Sequence, residues 1–440
     1  MVIETIQPAY KKTEIGPIPE DWKEFTLDSL CRSFTKQTGF DYSAYIKPKL
    51  VTTFKKGTIP FIQNKDFYAK SINFNTDYYI PEEVANLFPR ILLDENCLLI
   101  SISGSIGNVG IFSNVQKAFL GGAVAVAKFR NKKQLDWVMY YLLSHTGQNA
   151  LLKQVKAGAQ HNLILDDLRK ITIPVPSENE QQRITQILSE TDELLKQLDK
   201  LIEKKKKIKQ GALQELLIGR KRLKGEWIHQ KTKKLTEVGV IPEDWQVSML
   251  KELCNVDTDN LPANTSPDYE FDYISLEDIN RGKLNETKKL KFKDAPSRAR
   301  RKIVKDDILI ATVRPNLQNH FFVKTSVKDY VCSTGFSVLR CRDKISAPFL
   351  YYQLFGYIVS EQIMKMVIGS NYPSINKSDI MKIRIPIPEE YKEQRLIAQT
   401  LSDMDSEVEA LEQKRDKYRQ LKIGMMQQLL TGRIRLKWKN

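Results

Sequence analysis

The chain has 440 residues, enough for two to four domains, and its 41% hydrophobic and 28% charged residues are typical of a globular protein. The net charge of +16 favours a polyanionic partner, the longest apolar run (119–127) is too short to span a membrane, and residues 1–12 lack the apolar core of a secretory signal. Five scattered cysteines without zinc-ligand spacing predict no zinc site and a reducing, cytoplasmic location.

Each half of the chain opens with the same motif. Residues 14–22 have the sequence Glu-Ile-Gly-Pro-Ile-Pro-Glu-Asp-Trp, and residues 237–245 have Glu-Val-Gly-Val-Ile-Pro-Glu-Asp-Trp. Proline fixes the backbone ahead of each tryptophan. We therefore predict that Trp22 and Trp245 are core anchors that follow a turn, one in each half of an internal repeat.

The interior of each half is predicted to be α+β. Short apolar or β-branched runs bounded by turn residues predict strands. These runs are residues 59–66, 98–102 and 123–129 in the first half and 273–278, 308–313 and 336–339 in the second. A helix is predicted after the strands in each half, at 135–152 and at 348–367. Each half is therefore expected to be an α+β globule followed by a long helix.

The loops of the two globules differ although their frame recurs. Residues 41–54 have no counterpart of similar length or composition in the second half. Residues 103–108, Ser-Gly-Ser-Ile-Gly-Asn, stand where the second half has residues 314–319, Arg-Pro-Asn-Leu-Gln-Asn. A repeated scaffold with unlike loops indicates two binding units with different targets.

A second repeat closes each half and predicts the long helices. Its copies span residues 173–223 and 385–436, each from an Ile-Pro-x-Pro motif through Leu-Leu-x-Gly-Arg to a basic end that includes Arg222 or Arg435. Apolar residues at alternating steps of three and four predict helices at 180–218 and 394–430, the first about 58 Å long at about 1.5 Å per residue. We predict that these helices pack antiparallel on each other. The alternative is two independent amphipathic core helices.

Motifs that bind cofactors or phosphate groups do not occur in the sequence. Gly104, Gly107 and Gly110 do not have the GxGxxG spacing and are predicted to form a turn between strands. Neither an Asn-Pro-Pro-Tyr motif nor a Gly-Lys-Ser/Thr phosphate loop is present. We therefore predict no catalytic residue, no metal ligand and no bound cofactor.

One loose match to metal-dependent nucleases gives an alternative function. Metal-assisted hydrolysis needs acidic ligands near a lysine. The matching residues are Pro267, Asp268, Glu286 and Lys288. On this alternative the chain is a stand-alone metal-dependent nuclease, although the pattern is short and common.

Basic and polar residues in both halves are the candidate DNA contacts. Eight of the fifteen residues at 288–302 are cationic and only Asp294 is acidic, a density suited to phosphate neutralisation. A strand edge guarded by lysines is the alternative for this cluster. The basic run at 204–207 is predicted to be a solvated helix face. The candidate DNA-binding residues are Lys55, Lys56, Gln63, Asn64, Ser103, Ser105, Asn108, Arg298, Arg300, Arg301, Arg314, Asn316 and Asn319.

The arginines among these candidates are expected to play different parts. We predict that Arg300 and Arg301 bind phosphates. Arg314 is fixed before Pro315 and is expected to lie nearer the bases, where arginine can bind guanine with two hydrogen bonds.

Together these motifs resemble the DNA-specificity subunits of Type I restriction-modification enzymes. The resemblance rests on the duplicated Gly-x-Ile-Pro-Glu-Asp-Trp, the Pro-x-Pro followed by Gln-Arg, and the Leu-Leu-x-Gly-Arg helix ends, and it covers essentially the whole chain. It implies an α+β fold with two pseudo-repeated target recognition domains (1–177 and 224–387) separated by two long antiparallel helices, in spacer segments 178–223 and 388–440.

The resemblance also implies function and partners. Each domain is expected to recognise one half of a bipartite asymmetric site in double-stranded DNA, while the helices set the gap and dock two methyltransferase subunits. Restriction subunits with ATPase and nuclease activity join through that complex, so the chain itself is expected to be non-catalytic, cytoplasmic and free of membrane contact. The first half departs from the family at residues 158–163, Gly-Ala-Gln-His-Asn-Leu, where the second half matches better with Ser370, Pro373 and Ile375.

Overall fold

Short apolar runs between turn residues produce two α+β units, which we call unit 1 (residues 1–198 and 414–440) and unit 2 (residues 199–413). The computed structural model describes residues 9–68, 70–113, 115–153, 162–223, 232–367 and 373–436. The α+β fold class with long helices is as predicted.

Unit 1 contains two main sheets. Its strands are β1 (Tyr10–Thr13), β2 (Gly16–Pro19), β3 (Lys23–Thr26), β4 (Cys31–Lys36), β5 (Thr58–Ile62), β6 (Phe67–Tyr68), β7 (Ser71–Ile72), β8 (Tyr79–Pro81), β9 (Leu92–Leu93), β10 (Cys97–Ser101), β11 (Val109–Phe112), β12 (Ala118–Leu120), β13 (Val124–Phe129) and β14 (Thr172–Val175). Its short helices are α1 (Leu27–Leu30), α2 (Tyr42–Tyr45), α3 (Glu82–Ala85), α4 (Leu135–Leu143), α5 (His145–Leu152) and α6 (Leu165–Arg169). The six-stranded sheet has the order β4-β13-β10-β11-β7-β6 and the four-stranded sheet β8-β5-β12-β9.

Unit 2 repeats this plan after the long helix α7 (Glu178–Leu216). Its strands are β15 (Lys233–Thr236), β16 (Gly239–Pro242), β17 (Trp245–Met249), β18 (Cys254–Val256), β19 (Glu270–Ile274), β20 (Ile279–Asn280), β21 (Lys283–Leu284), β22 (Lys288–Lys291), β23 (Ala299–Ile303), β24 (Ile308–Ala311), β25 (Phe321–Phe322), β26 (Tyr330–Ser333), β27 (Phe336–Cys341) and β28 (Arg384–Pro388). Its short helices are α8 (Leu250–Leu253), α9 (Ala347–Gln353), α10 (Tyr357–Met366) and α11 (Lys377–Lys382). The long helix α12 (Tyr391–Leu429) begins in unit 2 and ends in unit 1. The main sheets have the orders β18-β27-β24-β25 and β22-β19-β26-β23.

Each globule is closed by pairing of its third strand with its last strand. In unit 1, β3 pairs antiparallel with β14, and in unit 2, β17 pairs antiparallel with β28. Trp22 and Trp245 are fully buried in the cores of their own units, as predicted. Each ladder brings the start and the end of its globule together. Both ends of each globule therefore lie beside the long helix that follows it.

Helices lie where they were predicted, at 135–152 and 348–367, but each of these segments is broken into two helices. In unit 1, Ser144 ends α4 and caps α5, since its hydroxyl accepts a hydrogen bond from the Gly147 amide at 3.2 Å. In unit 2 the chain turns between α9 and α10, and Gly356 precedes the second helix. The helical spacing of apolar residues continues through both breaks, so this pattern gave no indication of them in the sequence.

The long helices α7 and α12 pack antiparallel, as predicted. In unit 2, Lys206 pairs with Glu412 at 2.7 Å and Lys209 pairs with Asp405, so residue numbers rise along α7 as they fall along α12. Lys206, with Lys283, holds the pKa of Glu412 below its ordinary value. The run 204–207 is therefore not only a solvated face, because part of it joins the two helices.

Unit 1 contains an ion-pair triad that connects α12, α7 and the opening motif. The Arg435 guanidinium, just beyond α12, donates to the Asp21 carboxylate with both contacts at 2.9 Å. The same group donates to Glu180, in the first turn of α7, at 2.5 and 2.8 Å. The arginine beyond α12, the aspartate of the opening motif and a glutamate in the first turn of α7 therefore form one structural joint.

Unit 2 contains the matching triad. Arg222, beyond the end of α7, donates to Asp244 at 2.9 and 2.8 Å and to Glu393, in the first turn of α12, at 2.9 and 2.6 Å. The Trp245 indole also donates to Glu393, at 3.3 Å. The arginine that follows each long helix thus binds two carboxylates. One comes from the first turn of the other long helix and one from an opening motif.

A glycine beside each triad allows close packing. Gly219 follows α7 with φ +68, and a Cβ there would lie 2.5 Å from Cγ of Pro242 and 3.2 Å from the Trp245 ring. Gly432 follows α12 with φ +70 and faces Pro19 and Trp22 in the same way. The glycine of Leu-Leu-x-Gly-Arg therefore serves both as a left-handed helix end and as a contact surface for the opening motif.

Replacing Gly219 by alanine is expected to destabilise unit 2 by about 1–3 kcal/mol from the left-handed backbone alone, with the proline clash in addition. Gly211, inside α7, is the matched control, because no atom lies within 4 Å of its would-be Cβ. Gly211→Ala should stabilise the helix by up to about 1 kcal/mol. Urea unfolding of the full chain measures both effects, and wild-type stability of Gly219→Ala would contradict the packing role.

Candidate nucleic-acid interface

Two polar segments of unit 1 meet where strands β5 and β10 end. The Asn64 side chain donates to the Ser103 carbonyl at 2.9 Å, which joins the turn after β5 to the loop between β10 and β11. Gly104 has φ +73, and a Cβ at this position would lie 2.5 Å from the Asn64 amide nitrogen. The structure therefore brings Gln63, Asn64 and Ser103 together.

The loop between β10 and β11 has a backbone held by hydrogen bonds and side chains that are exposed to solvent. The Asn108 amide donates to the Ser101 hydroxyl at 2.9 Å, and the Gln148 side chain of α5 donates to the Gly107 carbonyl at 3.0 Å. The side chains of Ser105 and Asn108 are exposed. Gly104 and Gly107 lie in a turn between strands as predicted, whereas Gly110 lies within β11. The turn presents hydroxyl and amide groups that can donate and accept hydrogen bonds.

Lys55 and Lys56 are not part of this group. They precede β5, whereas Gln63 and Asn64 follow it, so the length of this five-residue strand, about 17 Å, separates the pairs. The candidate residues of the first half therefore form two separate surfaces of unit 1.

The corresponding loop of unit 2, residues 312–320, is held in an unusual backbone conformation. Arg314 and Gln318 have φ values of 48 and 53, in the left-handed region that non-glycine residues rarely adopt. The Arg314 amide donates to the Pro373 carbonyl at 2.7 Å, and the Gln318 side chain donates to the Ser360 hydroxyl at 3.0 Å. The loop thus presents exposed Arg314 and Asn316 on a fixed backbone.

The two ends of this loop are tied to neighbouring elements. The Asn319 side chain accepts from the Arg281 amide at 3.4 Å, so it also supports the loop. His320 is fully buried and its ring accepts from the Ala311 amide at 3.2 Å. Burial lowers the pKa of His320 to about 3, so this ring is neutral and structural.

Arg298 lies at the same edge as the Arg314 loop. The Thr334 amide donates to the Arg298 carbonyl at 2.9 Å, and the Thr312 amide donates to the Gly335 carbonyl at 2.8 Å, so the turn between β26 and β27 joins the two. The Arg298 side chain is exposed. The β23 and β24 ends therefore place two arginines, Arg298 and Arg314, on one edge of unit 2.

Arg300 and Arg301 are engaged within the protein. The Arg300 guanidinium lies over the Phe292 ring at 4.7 Å from its centroid. Arg301 forms an ion pair with Asp257, and their side chains are only 16% and 5% exposed. The Arg301 guanidinium therefore stabilises a buried carboxylate, which its position in a basic run did not indicate.

The lysines of this cluster lie on a sheet edge. Strand β22 is the outer strand of its sheet, and Lys289, Lys291 and Lys293 lie near acidic side chains at 3.6, 3.6 and 3.2 Å. This geometry favours the alternative of an edge guarded by lysines for the segment at 288–293.

The nuclease-like residues do not converge. In the β19–β22 ladder Tyr273 faces Lys288 and Glu270 faces Lys291, so Asp268 lies beyond one end of the ladder and Glu286 beyond the other. The Asp268 carboxylate instead accepts a hydrogen bond from the Lys293 ammonium at 3.2 Å. Across the parts of the chain that the structure describes, no group of three or more His, Cys, Asp or Glu side chains could hold a metal ion.

The polar loops predicted at 158–162 and 369–373 lie mostly outside the described residues. Their last residues are described, and they pair with the two candidate loops. Asn162 forms a bridge with Ser103 in unit 1. In unit 2 the Pro373 carbonyl accepts from the Arg314 amide at 2.7 Å, and Ser374, the next residue after the loop, forms a bridge with Val313. No helix among the residues that the structure covers has both the length and the apolar character to cross a bilayer.

A cluster beside each globule was missed by the sequence analysis. In unit 1 the Tyr140 hydroxyl donates to Asp192 of α7 at 2.7 Å, and Lys422 of α12 pairs with the same carboxylate at 2.6 Å. Burial alone would raise the pKa of Asp192, but these hydrogen bonds outweigh it and lower the pKa. The counterparts in unit 2 are Tyr352, Asp405 and Lys209. Comparison of the two halves at the repeat offset could have revealed the cluster.

Two α+β globules on one frame, each with a different fixed polar loop, define a two-part recognition protein. The chain belongs to the family described as Type I restriction modification DNA specificity domain, which matches residues 19–210 and 242–418. The resemblance inferred from the repeated motifs is thereby confirmed.

Curated relatives match over nearly the whole chain. The Type I restriction enzyme MjaVIII specificity subunit of Methanocaldococcus jannaschii is 25% identical over 438 residues, which cover 96% of this chain and 94% of the relative. The putative MjaX specificity subunit of the same organism is 26% identical over 440 residues, 97% of each chain.

Solved structures share the fold. The S subunit of a Type-I restriction-modification system from M. genitalium has a TM-score of 0.55 at 17% identity and covers 95% of this chain and 97% of that chain. A chain from a structure of a type I R-M system also has a TM-score of 0.55, at 14% identity, with coverage of 94% and 99%. None of these comparisons supports the nuclease alternative.

Proposed function

We propose that this chain is the non-catalytic DNA-recognition subunit of a cytoplasmic Type I restriction-modification complex. The recognition domains, residues 1–177 and 224–387, each bind one half of a bipartite asymmetric site in double-stranded DNA. The observation that carries the proposal is the repeated closed globule with unlike loops, Ser-Gly-Ser-Ile-Gly-Asn in one unit and Arg-Pro-Asn-Leu-Gln-Asn in the other. Because the two globules share a scaffold, their loops are held in corresponding positions. Because these loops differ in sequence, the two half-sites are expected to differ in sequence as well.

The proposed contacts divide into base and phosphate contacts. Amide and arginine groups suit base edges, because asparagine or glutamine pairs with adenine and arginine with guanine. The proposed base contacts are Gln63, Asn64, Ser103, Ser105, Asn108, Arg314, Asn316 and Asn319. The proposed phosphate contacts are Lys55, Lys56, Arg298, Arg300 and Arg301, and the last of these also holds Asp257.

The arginines of unit 2 should separate by effect. Arg314→Ala is expected to cost about 1–3 kcal/mol of specific binding and to relax specificity at one base pair, whereas Arg298→Ala should weaken binding to all sequences and flatten the salt slope by about one unit. Arg301→Ala should instead destabilise unit 2, because it leaves Asp257 buried without its partner. Binding titrations at several salt concentrations with unfolding curves test all three. Wild-type binding by both exposed-arginine variants would remove this edge from the interface.

The chemistry is proposed to belong to partners. Two methyltransferase subunits dock along α7 and α12, and restriction subunits with ATPase and nuclease activity join through the complex. The experiment is methylation mapping of DNA from cells that carry the chain with and without its modification subunits. We expect methylation at a bipartite asymmetric site only when the subunits are present. Methyl transfer or Mg²⁺-dependent cutting by the purified chain alone, abolished by Glu286→Ala, would overturn the proposal.

The helices are proposed to set the gap between the half-sites. Residues that pair between α7 and α12 have residue numbers that add up to nearly the same value, as in the pairs Lys206–Glu412 and Lys209–Asp405. To keep this pairing, seven facing residues must be removed from each helix, 199–205 from α7 and 409–415 from α12. Seven residues are about 10 Å of helix, or about three base pairs at 3.4 Å each. Methylation mapping should give a shorter gap with both half-sites retained. Removal of seven residues from α7 alone is the control and should disrupt folding, and an unchanged gap in the double deletion would refute the role.

A further inference from the structure

Residues 42–58 of unit 1 form an exposed basic and aromatic surface, which we call the flank segment. It contains four lysines and no acidic residue. The side chains of Lys47, Lys49, Lys55 and Lys56 are all exposed, and within the described residues none of their ammonium groups forms an ion pair. Elsewhere in unit 1 an exposed lysine is neutralised locally, since Lys117 pairs with Glu82 at 2.6 Å. The flank segment therefore keeps its whole charge for a partner.

The backbone of the flank segment is fixed. Ile46 is fully buried in the second core of unit 1. Val51 and Tyr79 exchange two backbone hydrogen bonds, at 2.9 and 2.8 Å, which add this segment to the outer strand β8. The Thr58 amide closes the turn onto the Lys55 carbonyl at 3.0 Å. The lysines are thus displayed on a formed surface, and little ordering is needed when a partner binds.

Two aromatic rings of the flank segment are left in solvent. Tyr45 is 59% and Phe54 is 66% exposed, and Phe54 touches the Tyr79 ring only edge-on, with centroids 5.6 Å apart. Both rings are therefore accessible to an external partner. Lysines interleaved with exposed rings match nucleic acid, which offers phosphates beside apolar sugar and base faces.

We propose that the flank segment binds duplex DNA outside the half-site recognised by unit 1. This inference rests on the proposed function, because it takes the loop at Asn64 and Ser103 as the base-recognition site. The length of β5 puts Lys55 and Lys56 about 17 Å from Gln63 and Asn64, or about five base pairs at 3.4 Å each. The lysines therefore meet backbone phosphates to one side of the recognised bases. No segment of similar length and composition occurs in the second half, so the added footprint is one-sided.

The test compares the full chain with a variant in which Lys47, Lys49, Lys55 and Lys56 are all changed to glutamine. Three duplexes carry the site found by methylation mapping: one with long flanks on both sides, one that ends at the half-site of unit 1, and one with the site scrambled. The control variant changes the exposed residues Lys12, Lys23, Lys170 and Lys196 to glutamine, which removes the same charge from other parts of unit 1.

On the long duplex the flank variant is expected to bind about 10- to 100-fold more weakly at moderate salt, with a salt slope shallower by about two to four. Its preference for the mapped site over the scrambled one stays at the wild-type ratio, because phosphate contacts carry no sequence information. On the duplex that ends at the half-site, wild type and flank variant bind equally. The control variant loses much less on the long duplex.

Three outcomes overturn the inference. If wild type and flank variant bind the long duplex with equal affinity and equal salt slope, the lysines do not contact DNA. An equal loss on the trimmed duplex places them on the half-site itself. Loss of assembly with the modification subunits at unchanged DNA affinity makes the segment a protein-binding surface. If the wild type does not distinguish the mapped from the scrambled duplex, the proposed function has failed instead, so the two failures are separable.

Discussion

Replacing Arg222 by alanine is expected to destabilise unit 2 by about 3–5 kcal/mol, because a buried ion pair that loses one partner leaves the other charge without compensation. Arg222 is 8% exposed, and its partners Asp244 and Glu393 are 19% and 1% exposed. The loss removes four charge-assisted hydrogen bonds at the junction of α7, α12 and the opening motif. Urea unfolding of the full chain provides the measurement.

The repeat itself provides the matched control. Arg435 makes the same contacts in unit 1, but Asp21 is 61% exposed and can be hydrated when the arginine is removed. Arg435→Ala is therefore expected to cost less than Arg222→Ala. Arg220→Ala should change stability by less than about 0.5 kcal/mol, since this exposed arginine lies 3.9 Å from an exposed glutamate. Equal costs at Arg220 and Arg222 would show that the unit 2 triad contributes nothing.

Exchange of residues 14–173 for the equivalent domain of a relative is expected to replace one half-site completely and to leave the other half-site and the gap unchanged. Both main sheets lie wholly within this stretch of chain. The β1–β2 and β3–β14 ladders each continue across a junction, so the donor must supply strands that pair with residues 10–13 and 174–175. Both long helices and the second domain at 237–385 remain untouched. Methylation mapping of the chimera assembled with its modification subunits is the measurement.

The chimera must keep the contacts that anchor the exchanged domain. Met426, Leu429 and Leu430 of α12 pack in the core of unit 1, and Arg435 binds Asp21. A donor with the Pro-Glu-Asp-Trp motif retains this joint, and a second chimera with Asp21→Ala tests whether a failure to assemble is structural. A change in both half-sites of a folded chimera would make recognition a joint property of the two globules.

The sequence predicts the parts of this fold that are determined locally. Pro174 and Pro386 keep the backbone extended before each long helix, and apolar periodicity defines α7 and α12 to within a few residues. The breaks at Ser144 and Gly356 were not predictable from that periodicity. They depend on capping and turn geometry that only the packed globule selects.

Contacts between residues that lie far apart in the sequence could not be predicted from the motifs. The opening Asp and the closing Arg were recognised as separate motifs, but Asp21 and Arg435 lie 414 positions apart and meet only in the folded unit. Likewise, Arg301 belongs to a basic run, and only the structure reveals its buried partner Asp257. Of the candidate loops, the grouping of Asn64 with Ser103 and the separation of both from Lys55 follow from strand geometry, not from composition.

The composition of unit 1 has a consequence for how the protein is made. Its residues come from both ends of the chain, 1–198 and 414–440, whereas unit 2 is continuous. During translation at about 5–20 residues per second, the N-terminal globule therefore waits roughly 12–46 s for the part of its core that includes Leu430. Until then Glu180 has no Arg435, and the apolar surface that α12 will cover is open to chaperones and proteases. A premature stop after residue 413 would spare every residue of unit 2 and damage the unit that was synthesised first.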